Sequence, residues 1–200
     1  LGEIELGFLA EQGRVIAITG TNGKTTTTTL TGEIMKAHFG KDKTFVVGNI
    51  GNPYTLEADK TSKDSVTVGE ISSFQLETIH TFHPVVSAIL NITPDHLNRH
   101  HTMEAYVAAK EAVASQQTKA DICVLNYDND YTRDFAGRCP ATPVLFSSHQ
   151  ELENGYFLRG DKIIKSVNGE EHELMDIHKD MNLVGLCNVE NVMAAIAIAE

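Results

Sequence analysis

Two hundred residues, 42% hydrophobic and 22% charged, make a globular chain long enough for one sizeable core. Its 27 acidic side chains outnumber 16 basic ones, for a net charge of −11, which argues against a nucleic acid held through its phosphates and against an anionic membrane surface. No apolar run approaches the roughly 18 residues of a spanning helix, and the start lacks the basic-then-apolar order of a secretion signal, so a cytoplasmic monomer is the expectation. Cys123, Cys139 and Cys187 are widely spaced and form no CxxC pair; they suggest neither a disulfide framework nor a zinc site and fit reduced thiols.

In chain order, residues 1–13 read as a helical tail or linker ending at Gln12-Gly13. An apolar strand over 15–18 runs into a glycine-rich turn and then a helix carrying Leu30, Ile34 and Ala37 on one side. Further apolar runs at 44–47, 66–68, 85–90, 122–125 and 144–146 read as buried strands, and Met103, Val107, Lys110 and Ala114 share a helical face. Strand–helix alternation predicts an α/β fold: a P-loop-type, mainly parallel sheet with right-handed crossovers and helices on both faces. Residues 155–176 differ. Turn signals at Arg159-Gly160-Asp161 and Val167-Asn168-Gly169 predict a small antiparallel β unit. Residues 188–200 read as a closing helix. The chain opens on Leu1 and stops at Glu200 inside an apolar helical pattern, and is read as a piece of a longer protein.

The strongest chemical signal is Gly20-Thr21-Asn22-Gly23-Lys24-Thr25-Thr26 between that first strand and its helix. Gly20 and Gly23 free backbone N–H groups to wrap an oligophosphate, the helix start adds its positive dipole end, Lys24 reaches the terminal phosphates and Thr25 can ligate Mg²⁺. This supplies local positive potential in an acidic chain. The general G-x-x-x-x-G-K-[ST] spacing is met only in part, because Ile18 stands where its first glycine would fall. The five threonines from Thr25 to Thr29 are poor formers of helix interiors, and the first two are better explained as ligands.

A second strand, over 66–68, delivers Glu70 at its carboxyl end, where open parallel sheets bind ligands; its carboxylate could complete the shell of a Mg²⁺ that also touches Thr25, or merely favour a helix start. A third strand empties into Asp95, His96, His100 and His101, of which His96, nearest the strand end, is the functional candidate. Lys110 lies in an alanine-rich helix, and by its residue pattern alone would extend to solvent.

Taken together, 20–26, Gly48-Asn49-Ile50-Gly51 with Pro53, Glu70-Ile71-Ser72-Ser73-Phe74-Gln75-Leu76, 91–100, Ala108-Ala109-Lys110 and Asn188-Val189-Glu190-Asn191 resemble the Mur ligases in order and spacing. Within that family, 70–76 is similar to the branch that adds D-glutamate to UDP-N-acetylmuramoyl-L-alanine. The resemblance implies the central ATPase domain over 14–200, with 1–13 trailing from an N-terminal domain and a C-terminal domain missing. It also implies the reaction: ATP phosphorylates the substrate carboxylate, the acyl phosphate is attacked by the amine of D-glutamate, and amide, ADP and phosphate result. By resemblance, Gly20, Thr21, Asn22, Gly23, Lys24, Thr25, Thr26, Asn188 and Asn191 bind nucleotide. Thr25 and Glu70 hold one Mg²⁺, while His96 and Lys110, the latter as a carbamate, serve a second. Asn49, Ser72, Ser73 and Gln75 lie near the muramoyl substrate. The chain departs from the family at Cys187, where His is usual, and at Asn98, where Asp is common. The fragment alone is expected to bind nucleotide without ligating. Alternatives are another amino-acid ligase of this fold, such as a folylpolyglutamate synthase, and a non-catalytic nucleotide-binding module in which Lys110 is merely solvated.

Overall fold

The computed structural model describes residues Leu1–Glu200. Nine strands form one sheet: β1 (Arg14–Thr19), β2 (Thr44–Gly48), β3 (Val66–Glu70), β4 (Val86–Ile89), β5 (Ile122–Asn126), β6 (Thr142–Ser147), β7 (Gly155–Arg159), β8 (Lys162–Val167) and β9 (Glu170–Asp176). Their spatial order is β2-β3-β1-β4-β5-β6-β7-β8-β9. Pairing is parallel from β2 through β7, and antiparallel for β7–β8 and β8–β9. The antiparallel unit expected over 155–176 is therefore present but not separate. Phe146 and Ser147 pair with Tyr156 and Phe157, so backbone hydrogen bonding continues the main sheet through it.

The helices are α1 (Glu3–Ala10), α2 (Lys24–Phe39), α3 (Tyr54–Glu57), α4 (Ser73–Leu76), α5 (Leu97–His100), α6 (Met103–Glu111), α7 (Asp130–Ala136), α8 (Ile177–Asp180) and α9 (Leu186–Ala199). None is long and apolar enough to cross a membrane. Strand alternation divides the core in two. Val15 and Ala17 of β1 face a cluster with Ile4, Tyr54, Phe82 and Tyr106, whereas Ile16 and Ile18 face one with Met35, Val192 and Met193. Both sheet faces are thus covered, as near-continuous apolar strands require.

Two segments gain a tertiary account. The segment over 1–13, read as a helical tail or linker, carries the helix α1, which is packed into the core. Ile4 and Glu5 are buried, and the Glu5 carboxylate accepts the backbone N–H groups of His80, Thr81 and Phe82 and the Thr81 hydroxyl. The threonine run, poor in propensity, lies wholly within α2. Thr27 and Thr28 are buried against the sheet and α9, and Thr29 Oγ1 bonds back to Thr25 O at 2.8 Å; tertiary packing overrides local preference here.

Candidate active site

Parallel strands place their carboxyl ends on one edge, and β1 sits between β3 and β4, so the residues following these three strands converge. Ile18, at the position where the general motif has its first glycine, is an ordinary buried strand residue paired with Glu70 and Ala88. The turn begins two residues later. Gly23 closes it in the left-handed region at φ 83°, and a Cβ there would stand 2.2 Å from Asn191 Oδ1; only glycine satisfies both the torsion and the approach. The 16-residue helix α2 starts immediately afterwards at Lys24, aiming its unpaired N–H groups into the turn.

Lys24 Nζ donates to the carbonyls of Gly20 and Thr21, each at 3.0 Å. Lys110 Nζ donates to the same Gly20 carbonyl at 2.7 Å. The reading of Lys110 as a solvated lysine is therefore overturned: its residue is 2% exposed, because the face it shares with Val107 and Val113 turns into the fold. Burial, reinforced by the neighbouring Lys24 charge and partly opposed by Asp95, pushes its pKa down to about 7. Two amino groups on one carbonyl make an anion-seeking point in a chain of net charge −11.

Across from them Glu70, at the end of β3, is 1% exposed. Thr25 Oγ1 donates to its Oε2 and Asn49 Nδ2 to its Oε1, both at 2.9 Å. Asn49 reaches it because Gly48, at φ 103°, brings β2 so close to the Glu70 backbone that a Cβ would stand 2.3 Å from the Glu70 carbonyl. Glu70 has no lysine or arginine partner. A buried carboxylate without a cation, beside a phosphate-loop hydroxyl, is a hard-oxygen pair suited to Mg²⁺.

The remaining expected residues fall into three groups. Asn191 lies against Gly23 and accepts from Thr27 Oγ1 at 3.3 Å; Asn188 lies one helical turn away, with Asn191 Nδ2 donating to its Oδ1 at 3.4 Å. Both share the amino-terminal turns of α9 with exposed Cys187. His96 is half-exposed, its Nε2 lying 3.4 Å from Asp95 Oδ2, and its ring lies near Phe74 and Tyr106. Lys110 makes no hydrogen bond to it, and as an amine donating to Gly20 it offers no anionic metal ligand. Thr26 follows Thr25 in the first turn of α2.

Of the four expected substrate contacts, Asn49 is engaged with Glu70, and Ser72 and Gln75 are engaged with each other. Ser72 caps α4 by accepting from the Gln75 backbone N–H, while Gln75 Oε1 accepts the Ser72 backbone N–H and hydroxyl. Ser73 is buried, with its Oγ 3.0 Å from His100 Nε2, and so braces the wall of the site. His100 in turn stacks on Phe74, its pKa lowered chiefly by burial.

Two residues not singled out in the sequence stand in the site. Asn91 accepts the Asn22 N–H on Oδ1 at 2.8 Å and returns a bond from Nδ2 to Asn22 O at 3.1 Å. Tyr106 places its hydroxyl 3.1 Å from Thr21 Oγ1. The available signals were Asn91 directly following a buried strand, and Tyr106 standing one helical turn before Lys110.

The profile of the Mur ligase middle domain matches residues 18–199. The UDP-N-acetylmuramoylalanine–D-glutamate ligase of Lachnospira eligens is 57% identical over 199 residues, covering 100% of this chain and 44% of that protein. Among solved structures, a UDP-N-acetylmuramoyl-L-alanyl-D-glutamate–2,6-diaminopimelate ligase has a TM-score of 0.73 at 24% identity, over 94% of this chain and 43% of its own. The MurF ligase of Thermotoga maritima in complex with ADP has a TM-score of 0.63 at 18% identity, over 96% of this chain and 46% of its own. The chain thus spans less than half the length of the proteins it matches. With its glycine turn, paired lysines and buried glutamate at the edge of the matched sheet, this chain belongs to the Mur ligase middle domain family.

Proposed function

We propose that this chain is the ATP-binding domain, over residues 14–200, of a cytoplasmic ligase that joins D-glutamate to UDP-N-acetylmuramoyl-L-alanine through an acyl phosphate. The observation that carries the reading is Glu70, buried and without a cation, bonded to Thr25 of a turn where Lys24 and Lys110 share one carbonyl. The substrate pair is supported by the relative at 57% identity. Activity belongs to the whole protein, with 1–13 joining this domain to a preceding one and a further domain following. Such sites are completed by domain closure, so the chain alone binds nucleotide and does not ligate.

Phosphoryl transfer between two anions needs alignment and charge neutralisation more than a protein nucleophile. The amides of 20–23, with Lys24, Thr25 and Thr26, receive the phosphates; Asn188 and Asn191 adjoin the nucleotide. Thr25 and Glu70 would hold Mg²⁺, which when bound offsets phosphate charge. Lys110, with its pKa lowered to about 7, is partly ammonium and partly neutral amine at neutral pH. Attack of that amine on CO₂, with loss of a proton, forms the carbamate anion that a second Mg²⁺ site shared with His96 requires. Asn49, Ser72 and Gln75 line the substrate side, and Ser73 holds that wall through His100. The buried Lys110 disfavours the non-catalytic module.

Titration calorimetry of ATP with Mg²⁺ into this chain tests the reading. Magnesium-dependent binding by the wild type, lost in Lys24→Ala, is the expected result; equal binding by both proteins overturns it. In the full-length protein, phosphate release stimulated by the muramoyl substrate and D-glutamate together tests the substrate assignment against other acceptors.

A further inference from the structure

Tyr106 is 1% exposed and makes two separate polar contacts that core filling alone would not require. Its hydroxyl lies 3.1 Å from Thr21 Oγ1, and Lys110 Nζ lies 4.8 Å from the centroid of its ring. Thr21 Oγ1 also accepts the Thr93 N–H at 3.0 Å and reaches the Thr93 carbonyl at 3.3 Å. A hydroxyl has one proton and two lone pairs. With that proton on Thr93 O and one lone pair on Thr93 N–H, the second lone pair takes the Tyr106 O–H. Thr21 is then held from three directions, and the next part of the turn is clamped as well, because Thr21 N donates to Asn91 O at 2.9 Å and Asn22 N to Asn91 Oδ1 at 2.8 Å.

The ring does different work. Its face is a fixed partner for a buried ammonium, and the lysine it carries is the one donating to Gly20 O at 2.7 Å. One side chain therefore touches both the hydroxyl residue of the phosphate loop and the lysine that faces that loop from α6.

We propose that Tyr106 is a positioning residue: its hydroxyl fixes Thr21 and so the direction of the amides that follow, and its ring fixes Lys110 over the Gly20 carbonyl. The inference rests on the nucleotide-binding reading above, and one arm of its test needs no nucleotide.

Tyr106→Phe keeps the ring and removes one atom. In the ligand-free chain, amide exchange at Thr21 and Asn22 is expected to rise about fivefold in this variant, the equivalent of one lost hydrogen bond, while exchange in β5 and α9 stays unchanged. In calorimetry, ADP affinity is expected to fall about fivefold, with no further loss when Tyr106→Phe is added to Thr21→Val. Tyr106→Leu, which lacks the ring, weakens binding further than Tyr106→Phe, and Lys110→Met removes that extra loss. Unchanged exchange at the turn, or additive effects of Thr21→Val and Tyr106→Phe, would overturn the inference. A wild-type chain that fails to bind ADP, with faster turn exchange in Tyr106→Phe, counts against the nucleotide reading and still supports the positioning role.

Discussion

Glu5 and Glu70 are chemically alike: each is buried to 1% exposure, hydrogen bonded, and without a cationic partner. Their donors differ. Glu5 accepts three backbone N–H groups, from His80 at 2.8 Å, Thr81 at 2.7 Å and Phe82 at 3.2 Å, and these cannot turn away. Burial alone would raise its pKa, but the donated bonds prevail and hold it below the usual carboxylate range. In Glu5→Gln the new amide nitrogen replaces one accepting oxygen, leaving up to two buried backbone donors unpaired. The cost is about 3 kcal/mol, or roughly 6–12 °C in Tm for a chain of this length. Glu70 accepts only from Thr25 Oγ1 and Asn49 Nδ2. A hydroxyl rotates and a side-chain amide flips, so Glu70→Gln retains its bonds while shedding a desolvated charge, and stability changes by no more than about 1 kcal/mol. Binding reverses the ranking. Glu70→Gln loses the magnesium-dependent part of ATP affinity by roughly 100-fold, and Glu5→Gln, if assayed well below its Tm, loses none. Differential scanning calorimetry and titration calorimetry on the two variants check this. A Glu70→Gln protein as destabilised as Glu5→Gln, yet still magnesium-responsive, would refute the assignment of Glu70 to the cation.

Because the folded-state pKa of Glu5 is depressed, its contribution is present above the ordinary glutamate pKa and lost as pH falls through the folded value; melting from pH 7 downward should show that loss in the wild type and a flatter acid limb in Glu5→Gln. Lys110 is also depressed, to about 7, but a lysine has the opposite charge, so its burial penalty is full below pH 7 and is recovered between there and the usual lysine range. The stability advantage of Lys110→Met over wild type, followed by thermal melts in CO₂-depleted buffer, therefore shrinks as pH rises from 7 to 9. Gly23→Ala forces a methyl into Asn191 at φ 83° and should cost about 1–2 kcal/mol together with ATP binding, measured by melting and calorimetry; unchanged affinity would contradict the glycine's role. A thiol reagent should modify exposed Cys187 rapidly and buried Cys123 and Cys139 only on unfolding, which timed mass spectrometry would resolve.

Much of this protein was legible in its residues. Apolar runs of strand length located β1 to β6, since a parallel sheet covered by helices on both faces draws apolar residues to both sides of its strands, and the glycine turn with Lys24 pointed to an anion site because close backbone approach to phosphate calls for glycine. The fate of Lys110 was not legible from its neighbours. An alanine-rich helix says only that one face packs, and the turn of α6 against the sheet decides that this lysine looks at Gly20 and not at water. The threonines of α2 mislead, and the seating of Glu5 in α1 is not foreseen, for the same reason: propensity and polarity are local quantities, whereas a buried Thr27 or a Glu5 seated on three backbone amides is stabilised by partners far along the chain. Tyr106 and Thr21 are 85 residues apart in sequence, a pairing that no local pattern encodes and that only the parallel pairing of β1 with β4 brings together.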